Sequence, residues 1–462
     1  MRFLSIAYRN ICRNKRRSLM TVLAIAVSSV SVMLFGGNII SIIYSLQTGY
    51  VRTSGHIHIY KRGYSRFGVA NPGAYAMTDY ERVMSVVRGD PEVKRILRAA
   101  MPFMMLQGIA GNFKANSSQG FAGIGIVPSQ MSLFMTWDQY HLKVTKADLS
   151  LGMGDLDVAD GVIGYGMAEN MKLCKELKIE DCAVDPNIKK DAPASGKMVD
   201  FSALTAEDFP PETANADIPR LDLLAATSGG SPNVVTMTVH NARRFGSNAQ
   251  NNGLIVMHLD LAQKLICGRG PQSVTGIMLQ LNRTDDIDAA VRRLQQLLPA
   301  SDYEVKSFGE VSPMYKQTIT MFATVFGFVA FIMGVIVLFT TINTMSMSVM
   351  ERVSEIGTIR ALGLRRSAIM TQFVTEGFLL GVIGTTLGTV FALAASAAVN
   401  WAELTWTPPD YATPVLLSVH LLLSPFFLPA CWLGLIAVTT LSSVMPARNA
   451  ARMPIVDALR HI

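Results

Sequence analysis

The residues that could do chemistry in this 462-residue sequence are few and scattered. His56 and His58 stand two apart in Gly55-His56-Ile57-His58-Ile59-Tyr60, so in a strand they share one face. Two imidazoles on one face could begin a metal site, but no third ligand stands nearby in sequence, and the polar outer face of a strand is the reading taken. Cys174 and Cys182 flank a short segment and form the candidate disulfide. Cys267 could pair with either, because spacing alone does not fix connectivity. Gly164-Tyr165-Gly166 lacks the Lys-Ser/Thr of a phosphate loop, and neither a nucleophile elbow nor a His-Glu-x-x-His pair occurs. The expectation is a chain with no catalytic residue, no metal ligand and no cofactor of its own.

Charge placed between apolar runs is more informative. The segment 350–366 carries Glu351, Arg352, Glu355 and Arg360, with Val353, Ile356, Ile359 and Leu362 recurring every third residue. It sits between the runs 318–349 and 367–399, each longer than the roughly 20 residues that cross a bilayer. A helix held on the membrane surface in this way either presses on a soluble partner or simply returns the chain. Glu376 follows Arg366 by ten residues, about 15 Å along a helix. An ionised group is costly in hydrocarbon, so Glu376 should face protein, either as a packing hydrogen bond or in a transport role. Met314, Met321, Met333, Met345, Met347 and Met350 give the second run a deformable apolar surface, which is either plain packing or a place for substrate.

Only 16% of residues are charged and half are hydrophobic, against about a quarter charged in soluble chains. Further apolar runs cover 19–46 and 416–445. The first follows a basic stretch, but its length and the lack of a small-residue cleavage site favour an uncleaved anchor over a signal peptide. Arg2, Arg9, Arg13, Lys15, Arg16 and Arg17 lie before it; Arg365, Arg366, Arg448, Arg452 and Arg460 fall beside later spans. The loop 400–415 holds Glu403 and Asp410 with no Lys or Arg. The positive-inside rule then places both termini and 350–366 in the cytoplasm, with 47–317 and 400–415 outside. The net charge of +7 is therefore a topology signal, and no nucleic-acid partner is implied.

The external region reads as mixed α and β. Thr78 to Glu81 has the form of a capping box opening a helix to about Arg88. Ile277–Leu281 reads as a strand, Asp285–Leu298 as an amphipathic helix and Tyr303–Phe308 as a returning strand. The glycines of Gly164-Tyr165-Gly166 are read as serving a tight turn. Asp185–Asn233 and Asn241–Asn252 have loop composition.

The run from Glu351 to Gly388 resembles the signature of the FtsX-like permease family, the membrane subunits of MacB-type and Lol-type ABC transporters. The matching positions are Glu351-Arg352, Glu355-Ile356-Gly357, Arg360-Ala361-Leu362-Gly363 and Glu376-Gly377. The basic start (Ala7 to Ser18) and the tail (Pro446 to Arg460) are similar to the family's ends, and the middle is similar only loosely. The resemblance implies four transmembrane α-helices with a large periplasmic α+β domain inserted between the first and second. The segments would be 1–18 cytoplasmic, 19–46 first span, 47–317 periplasmic, 318–349 second span and 350–366 coupling helix. The third span would be 367–399, the loop 400–415, the fourth span 416–445 and the cytoplasmic tail 446–462. It further implies a bacterial inner-membrane permease acting with a cytoplasmic ABC ATPase that holds the ATP and Mg, and with a second permease copy or paralogue. A periplasmic adaptor or lipoprotein carrier is a further expected partner. Glu351, Arg352, Glu355, Ile356, Gly357, Arg360 and Gly363 would couple to the ATPase. The motion would extract or expel a lipoprotein, peptide or hydrophobic cargo; the alternative is a signalling permease that activates a cell-wall hydrolase.

Overall fold

The computed structural model describes residues 2–13, 15–68, 72–142, 151–179, 218–411 and 414–454. They form two units: one of residues 1–44, 317–406 and 416–462, the other of 45–316 and 407–415.

The first unit is helical. A short helix, Arg2–Arg13, precedes long helices at Lys15–Ser54, Pro313–Glu351, Arg366–Trp401 and Phe427–Arg452, all long and apolar enough to cross a membrane. Three of them match the expected runs with added turns. The fourth begins 11 residues later than 416. Pro425 cannot continue a helix upstream, so the apolar residues before it stay outside the helix, in a short strand, irregular backbone and turns, and pack on the first long helix. There Asn38 donates to the Ser418 carbonyl, the Val419 amide donates to Asn400 Oδ1, and Leu421 lies where a Gly37 side chain would be. At its far end this helix runs through Pro446 to Arg452, past the expected limit of 445.

Glycine holds the third long helix against its neighbours. A Cβ on Gly377 or Gly381 would lie 2.5 Å from Ser443 or 2.0 Å from Thr439, both on the fourth helix. On Gly384 or Gly388 it would meet Ile25 at 2.8 Å or the Ala26 carbonyl at 2.7 Å on the first helix. In lipid no hydrophobic force pushes helices together, so close backbone approach through small residues supplies the attraction.

The second unit is a nine-stranded sheet with helices. Its strands are β1 (Ile57–Lys61), β2 (Leu97–Asn112), β3 (Ser117–Ile126), β4 (Asp160–Gly164), β5 (Arg220–Ala226), β6 (Pro232–Arg243), β7 (Leu254–His258), β8 (Gly276–Leu281) and β9 (Tyr303–Ser307). Long strand β2 serves two sub-structures. Residues 97–103 pair with β8 in a four-stranded sheet of order β2-β8-β1-β9. Residues 104–112 pair with β3, and 109–111 also pair with β5, which closes the ring β2-β3-β7-β4-β6-β5. Met104, Leu106, Phe121, Leu223, Met237 and Ile255 fill that ring, so it is a packed core with no channel.

The four-stranded part is a split β-α-β arrangement. Helices Tyr80–Gly89 and Pro91–Ile96 join β1 to β2, and Ile287–Leu297 joins β8 to β9, as the spacing predicts. Val83, Val87, Val93, Ala290 and Leu294 bury against Ile57, Ile59 and Leu279. Asp90 caps the second of these helices by accepting from the Glu92 and Val93 amides, and Arg293 pairs with it at 2.6 Å.

Several local expectations are corrected. Thr78 caps nothing: the N-cap is Asp79, whose carboxylate instead accepts from Arg82 and the Tyr303 hydroxyl. Gly164 has φ −69°, so no turn needs it; a Cβ there or on Gly166 would strike Asn251 or Asn252. The glycines admit helix Asn248–Gly253. Asn241–Asn252 is no open loop, because Ser247 caps that helix and buried Asn251 accepts from the Phe245 amide. Residues from Arg220 onward form β5 and the start of β6, leaving 185–217 of the expected loop outside the described residues.

Candidate functional site

The charged segment between the second and third long helices folds as a short helix, Val353–Ala361. It has a non-helical joint at each end. Arg352, at φ −114°, separates it from the second long helix. At the other end Gly363 has φ +94°; its amide donates to the Arg360 carbonyl and the Leu364 amide to the Ile359 carbonyl. This is the Schellman stop, which favours glycine. A Cβ on Gly363 would meet nothing within 4 Å, so backbone conformation, and not close approach, is what glycine supplies there.

The charged and small residues from 351 to 376 divide into an inner and an outer set. Arg352 is 5% exposed and turns inward, its guanidinium 3.0 Å from Glu376 on the third long helix. Asn10 of the N-terminal helix donates to the same Glu376 oxygen. Val353, Ile356 and Gly357 are buried too, with Ile356 packed among Val349, Ile369, Phe373 and Ala447. Buried charge requires a partner, and Glu376 is the acid within reach. Breaking such a pair on one side typically costs about 3–5 kcal/mol.

Glu351 and Glu355 are exposed and meet arginines of the same chain: Arg17 with Glu351 at 2.6 Å, and Arg13 with Glu355 at 2.8 Å. Arg360 donates to the Met453 carbonyl at the end of the fourth helix. Sequence reading assigned Arg13 and Arg17 only to topology and gave Asn10 no role; nothing local in their segment signals that they converge on 351–376.

What remains outward is an apolar stripe beside arginine. Ser354, Glu355, Thr358 and Ile359 are exposed, Leu362 is 83% exposed, and Leu364, Arg365 and Arg366 follow.

The other candidates resolve differently. His56 and His58 lie on the covered face of β1, not a polar outer face. His56 Nδ1 accepts from the Leu281 amide, and its ring meets Trp137 edge-on at 5.0 Å; His58 Nδ1 lies 3.0 Å from the Tyr60 hydroxyl. Burial pushes His56 down to about 3 and His58 down to about 4, so both are neutral packing groups. No cluster of three or more metal-ligating side chains occurs among the described residues. Cys174 is disulfide-bonded, Cys182 lies outside the described residues, and Cys267 is a buried free thiol. Met345 is buried, whereas Met314, Met321, Met347 and Met350 are exposed.

Residues 327–455 match the FtsX-like permease C-terminal family. The chain is 31% identical over 256 residues to the macrolide export ATP-binding/permease protein MacB of Sodalis glossinidius (strain morsitans), covering 53% of this chain and 37% of that protein. It is 28% identical over 228 residues to the pyoverdine export ATP-binding/permease protein PvdT of Pseudomonas syringae pv. tomato, covering 49% and 32%. The chain thus spans about a third of the length of these curated relatives. The extracellular domain of the noncanonic ABC-type transporter YknZ from Gram-positive bacteria aligns at 14% identity over 54% of this chain and 98% of that one, with a TM-score of 0.28. That overlap is too low to bear on the fold.

Proposed function

We propose that the chain, whose residues 327–455 match the FtsX-like permease C-terminal family, is the membrane subunit of a bacterial inner-membrane ABC transporter. An ABC ATPase on a separate chain binds Mg and ATP beneath it, and two permease units, identical or paralogous, complete the assembly. The observation that carries this reading is the short helix Val353–Ala361, set between two long apolar helices with the stripe Ile359, Leu362 and Leu364 turned outward.

Closure of the ATPase pushes on that stripe, the second and third long helices tilt, and unit 45–316 moves on the periplasmic side. Nucleotide must then bind the two permease conformations with different affinity, since equal affinity shifts no population. The filled interior of the barrel favours work done by movement of the external unit over cargo held inside it. Residues 407–415 group with that unit: the Asn248 amide donates to the Asp410 carbonyl, and Tyr411 bridges Ser247. This supports placing the loop 400–415 on the same side as 47–317, with both termini cytoplasmic. The relatives' names describe macrolide and pyoverdine export; by analogy the cargo is hydrophobic, peptide-like or lipid-modified, passed to a periplasmic adaptor or carrier.

Affinity purification of the chain from its native membrane in mild detergent tests the reading. An ABC ATPase should co-purify, and its turnover should differ between lipid nanodiscs with and without this chain. A chain that purifies without an ATPase and leaves turnover unaltered contradicts it.

A further inference from the structure

We propose that Arg352, Glu376 and Asn10 form a latch that makes the short helix Val353–Ala361 a rigid arm of the third long helix and carries the N-terminal helix with it. The proposal rests on the transport reading for its purpose, but its geometry stands within one unit of the chain.

The short helix has two weak joints. Arg352 breaks the helical path from Glu351 to Val353, and the Gly363 turn stands in open space. A push on such a segment would bend its joints before it moved a span. The side chain of the first joint removes this freedom. Arg352 reaches across to Glu376, ten residues along the third long helix from Arg366, and both side chains are more than nine-tenths buried. Asn10 adds a third element to the same carboxylate oxygen. The inner group thereby ties the end of the second long helix, the third long helix and the N-terminal helix at one point.

The outer pairs cannot replace it. Arg13 and Glu355 are each about half exposed, and water and salt screen such pairs. Arg17–Glu351 is only partly shielded. Arg13–Glu355 ties the N-terminal helix to the short helix and Arg17–Glu351 ties the first long helix to the end of the second, while the buried pair decides whether the arm is stiff. The glutamates at 351, 355 and 376 therefore act within the chain, and contact with an ATPase falls to Leu362 and its neighbours.

Nitroxide labels at Ser354 on the short helix and Met445 on the fourth long helix, both exposed, test the latch in the full chain in nanodiscs. Pulsed dipolar spectroscopy should give one narrow distance distribution in the unsubstituted chain. Arg352→Met and Glu376→Gln should each broaden it, and the double variant should be no broader than either single one. The exchanged pair Arg352→Glu with Glu376→Arg should recover the narrow distribution, which separates latching from general damage to the fold. With an ATPase bound, the single variants should still co-purify with it but lose the effect of the permease on turnover, and the exchanged pair should regain it. Narrow distributions in both single variants overturn the latch, whatever the ATPase does. Absence of an ATPase effect from the unsubstituted chain counts against the transport reading and leaves the distance result to judge the latch.

Discussion

Arg352 and Arg13 each meet a glutamate, at 3.0 and 2.8 Å, yet removing them should have different consequences. Arg352→Met strands a buried carboxylate, and the membrane unit should lose about 3–5 kcal/mol. Arg13→Met removes a solvated pair and should cost less than about 1 kcal/mol. Thermal unfolding in detergent, read by loss of monodisperse elution, ranks the two; equal losses would contradict the burial argument. A second residue-scale effect belongs to His56 and His58, whose imidazoles are depressed to about 3 and about 4 in the fold. Unfolding returns them to about 6.5, so between those values the unfolded chain binds more protons. Their stabilising contribution is complete above about pH 6.5 and falls as pH drops toward 4, by about 1.4 kcal/mol per histidine for each pH unit well below 6.5. Unfolding of the full chain, followed through Trp137 beside His56, should weaken from pH 7 to pH 5, and His58→Phe should flatten that slope. A profile unchanged by the substitution would show that His58 is not the titrating group. Neither histidine's burial was legible in the sequence: alternation showed that they share a face, but both faces of β1 are covered, and the cover over the histidine face includes a helix, Pro128–Met135, some 70 residues away.

Close helix approach is an element-scale property, and glycines of one helix type predict opposite outcomes. Gly388→Ala places a methyl 2.7 Å from the Ala26 carbonyl, so the first and third long helices must separate at a cost of about 1–3 kcal/mol. Gly327→Ala and Gly334→Ala meet nothing within 4 Å on the second long helix and should be neutral or stabilising by up to about 1 kcal/mol. Melting temperatures of the three variants in one detergent decide this; a tolerated Gly388→Ala would remove the packing argument. The spans themselves were readable because length and apolar composition alone specify a membrane-crossing helix. The β-α-β unit from β8 to β9 was equally plain, since its periodicity switches cleanly from two to 3.6. Where the sequence misled, long-range partners had decided the matter. Residues 416–421 begin an apolar run read as a span, but they lie outside the helix, with Leu421 against Gly37, upstream of Pro425. β5 arises from a stretch of loop-like composition because it completes the ring between β2 and β6. The inward turn of Arg352 was hidden for the same reason: its periodicity marks a surface helix, and its acid is 24 residues away on another element.

Along the chain the β unit falls between the first two long helices, and its Ser247 to Asn248 segment holds Asp410 and Tyr411, which group with that unit. With Cys12, Cys267 and Cys431 replaced by Ser, a membrane-impermeant maleimide should reach a cysteine placed at Asp286 once the outer membrane is opened. One placed at Ser354 should react only after the inner membrane is breached. The reverse order would invert the topology. The central claim is that the outward stripe of the short helix receives the ATPase, while its glutamates and Arg352 hold the chain to itself. Leu362 isolates that claim, being 83% exposed and followed by the Gly363 turn, so its replacement should leave the fold intact. The most direct measurement is the ATPase turnover of the reconstituted complex with Leu362→Asp, beside its co-purification yield. The account predicts a permease that inserts and elutes normally, binds the ATPase at least ten-fold more weakly and no longer alters its turnover. Unchanged yield and turnover would contradict it.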